Sequence, residues 1–253
     1  MNILLTNDDG INEDGLIYLA RSLRKEHNVY VLAPDINRSG VSQAVSFLTE
    51  ILKFTEHSEK TYSCSGTPCD CVMLALLGIF PVEFDLIVSG INAGVNVGTD
   101  LIYSGTAAAA RQAAIYNIPA IAFSLASGKN FFWEEAAAFA LDNIEKLFKL
   151  WKKDTFINVN IPNIPDIKET ALTFPSLRRY EDTLEIIKTQ DGRQYCFVNL
   201  GDIITKAEKG SDEDAVSRNI VSISPVFIHP VVRRDQCHIA PSYAAVDPRP
   251  ENL

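Results

Sequence analysis

The chain opens on a pattern that few folds accommodate. An apolar run from Ile3 to Leu5 leads through Thr6-Asn7 to two adjacent carboxylates, Asp8 and Asp9, and then Gly10. A short apolar run of this kind reads as a buried parallel strand, and glycine permits the sharp exit behind it. Asp8 and Asp9 then stand at the carboxyl end of a first strand, the edge on which open α/β sheets carry their chemistry. Neighbouring carboxylates repel unless a proton or a cation lies between them. Asp9-Gly10 also suits a plain turn, so the pair gains meaning from what else gathers on the same edge.

The chain then keeps a βα rhythm. Leu16, Leu19, Ala20 and Leu23 fall at helical spacing within residues 13–25, and Asn28–Ala33 reads as a second strand closed by Pro34-Asp35. Such an opening predicts a parallel sheet with right-handed crossovers. Asn37-Arg38-Ser39-Gly40 forms a polar loop on the edge that holds Asp8 and Asp9. Residues 44–65 read as short strands and turns. Thr67 as N-cap, Pro68 at the first helical position and Asp70 early predict a helix to about Leu77. A buried strand, Phe84–Val88, opens into a loop from Ser89 to Gly98 that is dense in Gly and Asn, hard to explain by connectivity alone. Tyr103-Ser104-Gly105-Thr106 leads into a helix of small residues over 107–116. Strands over 119–124 and 155–160 flank a long amphipathic helix over 131–151.

Beyond Pro162 strand alternation replaces this rhythm. Residues 183–189 and 194–200 flank the turn Gln190-Asp191-Gly192-Arg193, a hairpin signal. A short acidic helix over 211–217, a strand over 220–224 and a proline-bearing tail beyond Val231 follow. The chain is thus expected to be α/β: a Rossmann-like, mostly parallel sheet with helices on both faces. The core spans 1–160, and an extension over 161–253 completes it.

A net charge of −9 argues against a nucleic-acid duplex or an anionic membrane surface as the main partner. A small phosphorylated substrate stays open, because a divalent ion reverses the local field. No stretch approaches the roughly 20 apolar residues of a spanning helix, and no basic-then-apolar leader precedes the first strand. Five cysteines (Cys64, Cys69, Cys71, Cys196 and Cys237) without paired spacing predict reduced thiols in a cytosol.

In a parallel sheet the strand ends meet on one edge. Here they bring together Asp8-Asp9, Ser39, Asn92, Asn96 and Ser104-Gly105-Thr106, all oxygen donors or small hydrogen-bonding groups. Two carboxylates with an amide oxygen and a hydroxyl make a hard site suited to Mg²⁺ or Mn²⁺, with positions left for water and substrate. Ser104 to Thr106 precede a helix, where backbone N–H groups and hydroxyls hold a phosphate against the positive dipole end; simple N-capping explains the same residues. The loop Gly90–Gly98 contains no Gly-Lys-Ser/Thr, and its glycines do not follow the first strand, so neither nucleotide-loop fingerprint applies. No Gly-x-Ser-x-Gly elbow is present. Arg178-Arg179 reads as a solvated surface pair.

Taken in order, Asn7-Asp-Asp-Gly10, Ala33-Pro-Asp35 with Arg38-Ser-Gly40, Gly66-Thr-Pro68 with Asp70-Cys-Val72, Ser89-Gly-Ile-Asn92 with Gly94, Asn96 and Gly98, and Tyr103-Ser-Gly-Thr106 resemble the SurE family of survival-protein nucleotidases. The resemblance is dense to about residue 125 and continues in Asn158-Val-Asn-Ile-Pro162 and Val221-Ser-Ile-Ser-Pro225. It implies a metal-dependent phosphomonoesterase, a 5′-nucleotidase that removes phosphate from nucleoside monophosphates, with 3′-nucleotides as further substrates. Carried over residue by residue, it implies one divalent ion per subunit, Mg²⁺ or Mn²⁺, on Asp8, Asp9, Ser39 and Asn92. Asp8 and Asp9 carry the catalysis, and Asn96, Ser104, Gly105 and Thr106 contact the phosphate. It further implies a cytoplasmic homodimer or homotetramer that uses the hairpin and exchanges the segment after Pro225. The chain departs from the family where Gln112 replaces a usual glutamate, a change expected to alter supporting hydrogen bonds rather than ligation. Two rival readings are a haloacid-type aspartyl-phosphate phosphatase, whose Asp-x-Asp and later Lys are missing here, and a non-catalytic metal- or nucleotide-binding protein.

Overall fold

The structure, a computed structural model, describes residues 1–229. Among the described residues, nine strands form one sheet. In chain order they are β1 (Asn2–Thr6), β2 (Asn28–Pro34), β3 (Phe54–Ser58), β4 (Thr61–Cys64), β5 (Leu86–Ala93), β6 (Ala120–Leu125), β7 (Thr155–Ile161), β8 (Thr170–Leu172) and a last strand, Val221–Phe227, here β11. Between the last two, β9 (Thr183–Lys188) and β10 (Gln194–Asn199) pair, among the described residues, only with each other. The spatial order is β3-β4-β2-β1-β5-β6-β7-β11-β8. The central strands from β4 to β7 pair in parallel, β3 and β11 run antiparallel to their neighbours β4 and β7, and β8 runs parallel to β11. The mostly parallel α/β sheet foreseen from the βα rhythm is therefore present, and β8 and β11 extend it beyond residue 161.

Both faces are covered, which is why the central strands carry continuous apolar runs such as Ile3–Leu5 and Leu86–Val88 rather than strict alternation. On one face α1 (Asp14–Leu23) and the long α4 (Trp133–Leu150) pack over Ile3, Leu5, Val88 and Phe123. On the other, α2 (Pro68–Leu74) and α3 (Gly105–Ile115) cover Leu4, Leu32, Ile87 and Phe156. Helix α2 begins as its sequence demands: Thr67 Oγ1 accepts from the Asp70 N–H and the Asp70 carboxylate accepts from the Thr67 N–H, a reciprocal capping box. Helix α3 meets the sheet through alanines, with Ala107, Ala108, Ala109, Ala110 and Ala113 wholly buried. Small side chains let its backbone lie close to the strands.

Three local features depart from expectation. The strand predicted to end at Val88 continues to Ala93, with a register shift between Ser89 and Asn92. The glycine- and asparagine-rich stretch is thus first a bulged strand and only then a loop. A π-turn, Ala75–Ile79, follows α2, and a 3₁₀ turn, Gly98–Ile102, precedes α3. Of the segment expected to exchange between subunits after Pro225, residues 230–253, including Cys237, lie outside the described residues.

The order of strands locates the chemistry. From β1 the chain moves outward to β2 and β4, then returns to the opposite side of β1 as β5. The crossovers diverge between β1 and β5, leaving a crevice at their carboxyl ends. Asp8-Asp9 follow β1 directly, and Asn92 lies at the end of β5.

Candidate active site

A cavity of about 350 Å³ occupies this crevice, and Asp8, Asp9, Ser39, Asn92, Asn96 and Ser104 line it. Six of the eight residues singled out from the sequence therefore meet on one wall system. The other two, Gly105 and Thr106, stand behind Asp8 and hold it.

The Asn7–Gly10 turn is fixed from within: Asn7 Nδ2 donates to the Gly10 carbonyl at 2.9 Å, and the Gly10 N–H donates to Asn7 Oδ1 at 3.2 Å. This aims both carboxylates over the strand end. Asp8 is only 3% exposed. Its Oδ2 accepts from the Gly105 N–H at 3.1 Å, and its Oδ1 accepts from the Thr106 hydroxyl. That hydroxyl also lies 3.5 Å from Asn92 Oδ1, so one side chain touches two of the proposed ligands. The N-terminus of α3 is thus seated on Asp8, where its dipole favours negative charge. Gly105 is required for the approach, since a Cβ there would lie 2.7 Å from Asp8 Cβ and 2.9 Å from its Oδ2. The preceding Ser104 caps α3, accepting from the Ala107 N–H at 3.0 Å. Capping and site-building are one arrangement here.

The Asp8 carbonyl accepts from the Arg38 N–H at 2.7 Å, which draws in the loop after β2 and delivers Ser39. Ser39 Oγ donates to Asp9 Oδ1 at 3.4 Å, and the Ala93 N–H approaches Asp9 Oδ2 at the same distance. Both contacts are long, so Asp9 is the less tightly held carboxylate. Asn92 Nδ2 donates to the Gly94 carbonyl at 2.8 Å, which turns its Oδ1 toward Thr106.

Neither aspartate joins an ion pair among the described residues. Burial raises the pKa of Asp8 above its ordinary value, against the hydrogen bond from Thr106. Burial, and then the charge of Asp8, push Asp9 up to about 6. Two close carboxylates held without a counter-charge, beside a hydroxyl and an amide oxygen, fit a hard divalent cation.

Asn96 rests on residues not singled out from the sequence. Its Nδ2 donates to Ser124 Oγ and its N–H to Asn160 Oδ1, both at 2.8 Å. Its carbonyl accepts from Asn158 Nδ2 and Asn160 Nδ2. Buried amides at two alternate positions of an otherwise apolar strand, TFINVNI, are a readable signal for such a platform. Asp100, not singled out from the sequence, and Tyr103, quoted there only as part of a motif, also line the cavity. Arg178 is not the solvated residue expected. Its side chain is 11% exposed and pairs with both Asp100 and Glu213.

Comparison with known proteins agrees with this geometry. A family model described as "Survival protein SurE" matches residues 3–182. The chain is 41% identical over 236 residues to a protein from Kosmotoga olearia named "5′-nucleotidase SurE", covering 90% of this chain and 92% of that one. A protein of the same name from Mannheimia succiniciproducens is 41% identical over 231 residues, covering 90% and 93%. The crystal structure of the SurE protein from Aquifex aeolicus superimposes with a TM-score of 0.82 at 34% identity, over 93% of this chain and 97% of that one. The strand order, the crevice and these matches agree: the chain belongs to the SurE family.

Proposed function

We propose that this protein is a divalent-metal-dependent nucleotidase that hydrolyses nucleoside monophosphates to nucleoside and inorganic phosphate. The observation that carries this reading is the pair Asp8-Asp9, held without a counter-charge beside Ser39 and Asn92 at the mouth of one cavity. The relatives named 5′-nucleotidase supply the substrate class.

Asp8, Asp9, Ser39 and Asn92 would hold one Mg²⁺ or Mn²⁺. Bound there, such an ion polarises phosphoryl oxygens and lowers the pKa of water. The protein's own groups do the rest. Thr106 and the Gly105 N–H fix Asp8 in one orientation. Asn96 and Ser104, which line the same cavity, would orient the phosphate beside the α3 N-terminus. Asp9, the looser carboxylate, would take a proton from attacking water. If a carboxylate instead attacks phosphorus, the nucleoside leaves and an acyl phosphate forms on the aspartate, which hydroxylamine or borohydride trapping during a single turnover detects.

The exposed hairpin supports assembly as a homodimer or homotetramer, and the unpaired Cys64, Cys69, Cys71 and Cys196 support residence in a reducing cytoplasm. The decisive test is phosphate release from a panel of 5′- and 3′-nucleotides with Mn²⁺ or Mg²⁺. Wild-type protein is expected to release phosphate only with the cation, and no release from any nucleotide would refute the assignment. Crystals soaked in manganese should show an anomalous peak between Asp8 and Asp9.

A further inference from the structure

The cavity that holds Asp8 and Asp9 has a third carboxylate on its wall, Asp100. A substrate phosphate carries nearly two negative charges at neutral pH, so an uncompensated carboxylate there would oppose its entry. Asp100 is compensated from the extension. Arg178 pairs through Nη1 with Asp100 Oδ2 and through Nε with Glu213 Oε1, the latter at 3.1 Å. The Tyr180 hydroxyl donates to the Asp100 carboxylate, 2.7 and 2.8 Å from its two oxygens. The main chain joins the same junction. The Arg178 N–H donates to Thr99 Oγ1 at 3.0 Å, and Asp212 accepts from the Gly98 N–H at 2.7 Å. The Asp100 carbonyl in turn accepts from the N–H groups of Tyr103 and Ser104, each at 3.0 Å.

We infer that Arg178 is a positioning residue which, by neutralising Asp100 on the cavity wall, sets the affinity of the site for dianionic phosphate. The inference rests on the phosphatase reading of this cavity. It requires no contact between Arg178 and the substrate. A charge a few ångströms beyond the wall acts through the field, and a field is weakened by salt.

The test measures kcat and KM for a nucleoside monophosphate, and in parallel the binding of inorganic phosphate by calorimetry, both with Mn²⁺. Arg178→Gln is expected to raise KM and weaken phosphate binding about tenfold, with kcat within about threefold of wild type. The defect shrinks at 0.5 M NaCl, where the screening length falls to roughly 4 Å. Arg178→Lys, which keeps the charge, stays near wild type. The double variant Arg178→Gln/Asp100→Asn recovers most of the lost affinity, because the charge needing compensation is gone. If the double variant binds phosphate as poorly as the single one, or if the loss falls on kcat and ignores salt, Arg178 is a structural clamp and the inference fails. Should Arg178→Gln not fold, the double variant and Arg178→Lys decide the matter. The phosphate-binding arm is read without turnover, so a wild type that binds phosphate but cleaves no nucleotide refutes the nucleotidase assignment alone.

Discussion

The carboxyl edge of the sheet and the β9–β10 hairpin invert the usual distribution of polarity. At the edge Asp8, Thr106, Asn158 and Asn160 have almost no exposed surface, and each makes at least one side-chain hydrogen bond. On the hairpin every residue is exposed, yet Leu184, Ile186, Phe197 and Val198 are large and apolar. Buried polar groups are costly unless each finds a partner, so their concentration marks a place shaped for chemistry. Exposed apolar groups on a two-stranded ribbon contribute little to a lone subunit, since such a ribbon is marginal in water by itself. One region gives up local stability for a site, and the other leaves large apolar side chains exposed to solvent.

Substitutions can break this contrast. The largest effect is expected from Asp9→Asn: turnover with Mn²⁺ falls by about 10³-fold or more, while circular dichroism stays native. Near-normal turnover would remove Asp9 from the catalytic machinery. Gly105→Ala comes next. Its Cβ would drive into Asp8, and a displacement of about 1 Å at a reacting centre costs roughly 10²-fold; steady-state kinetics at saturating Mn²⁺ measures it.

A pH series sharpens the energetic side. Asp8 and Asp9 are both raised above the ordinary carboxylate value of 3.8, Asp9 to about 6. Between those values the folded chain keeps protons that the unfolded chain has lost. The contribution of Asp9 to metal-free stability is therefore full below about pH 4 and is lost as pH rises through about 6, and Asp8 acts in the same direction. Relative to wild type, Asp9→Asn is expected to stabilise the metal-free protein at pH 7 by about 1–2 kcal/mol after allowance for solvent screening, with the gain vanishing near pH 4. Urea titrations in chelator at both pH values test this; an equal gain at both would exclude the charge as its cause. The smallest effect belongs to the hairpin. Phe197→Ser should change subunit stability by less than about 0.5 kcal/mol, while light scattering shows a shift toward smaller assemblies.

Much of this was legible beforehand, for identifiable reasons. The βα rhythm could be read because strands covered on both faces carry continuous apolar runs, as in ILL, VYVLA and LIV. Asp8, Asp9, Ser39 and Asn92 could be gathered onto one edge because parallel strands all end on the same side. Local rules did less well where remote partners decide. Arg178 looks like a surface residue until Asp100 and Glu213, 78 and 35 residues away, enclose it. The continuation of β5 through Ser89-Gly-Ile-Asn92 runs against the turn propensity of Gly and Asn. Pairing with β6 overrides it, joining Asn92 with Ser124. Nor does Asn158 or Asn160 announce by itself that it supports the Asn96 backbone.

The alanine face of α3 has a consequence for how such an enzyme can be altered. Those methyl groups act as a spacer of minimum thickness, and the helix tip reaches Asp8 only because nothing bulkier separates helix from sheet. A valine or leucine at Ala109 or Ala113 would work as a shim, tilting the whole rod and lifting Gly105 and Thr106 away from their carboxylate. New substrate preferences are therefore better sought in the loops after β2 and β5, which can be rebuilt without disturbing that alignment.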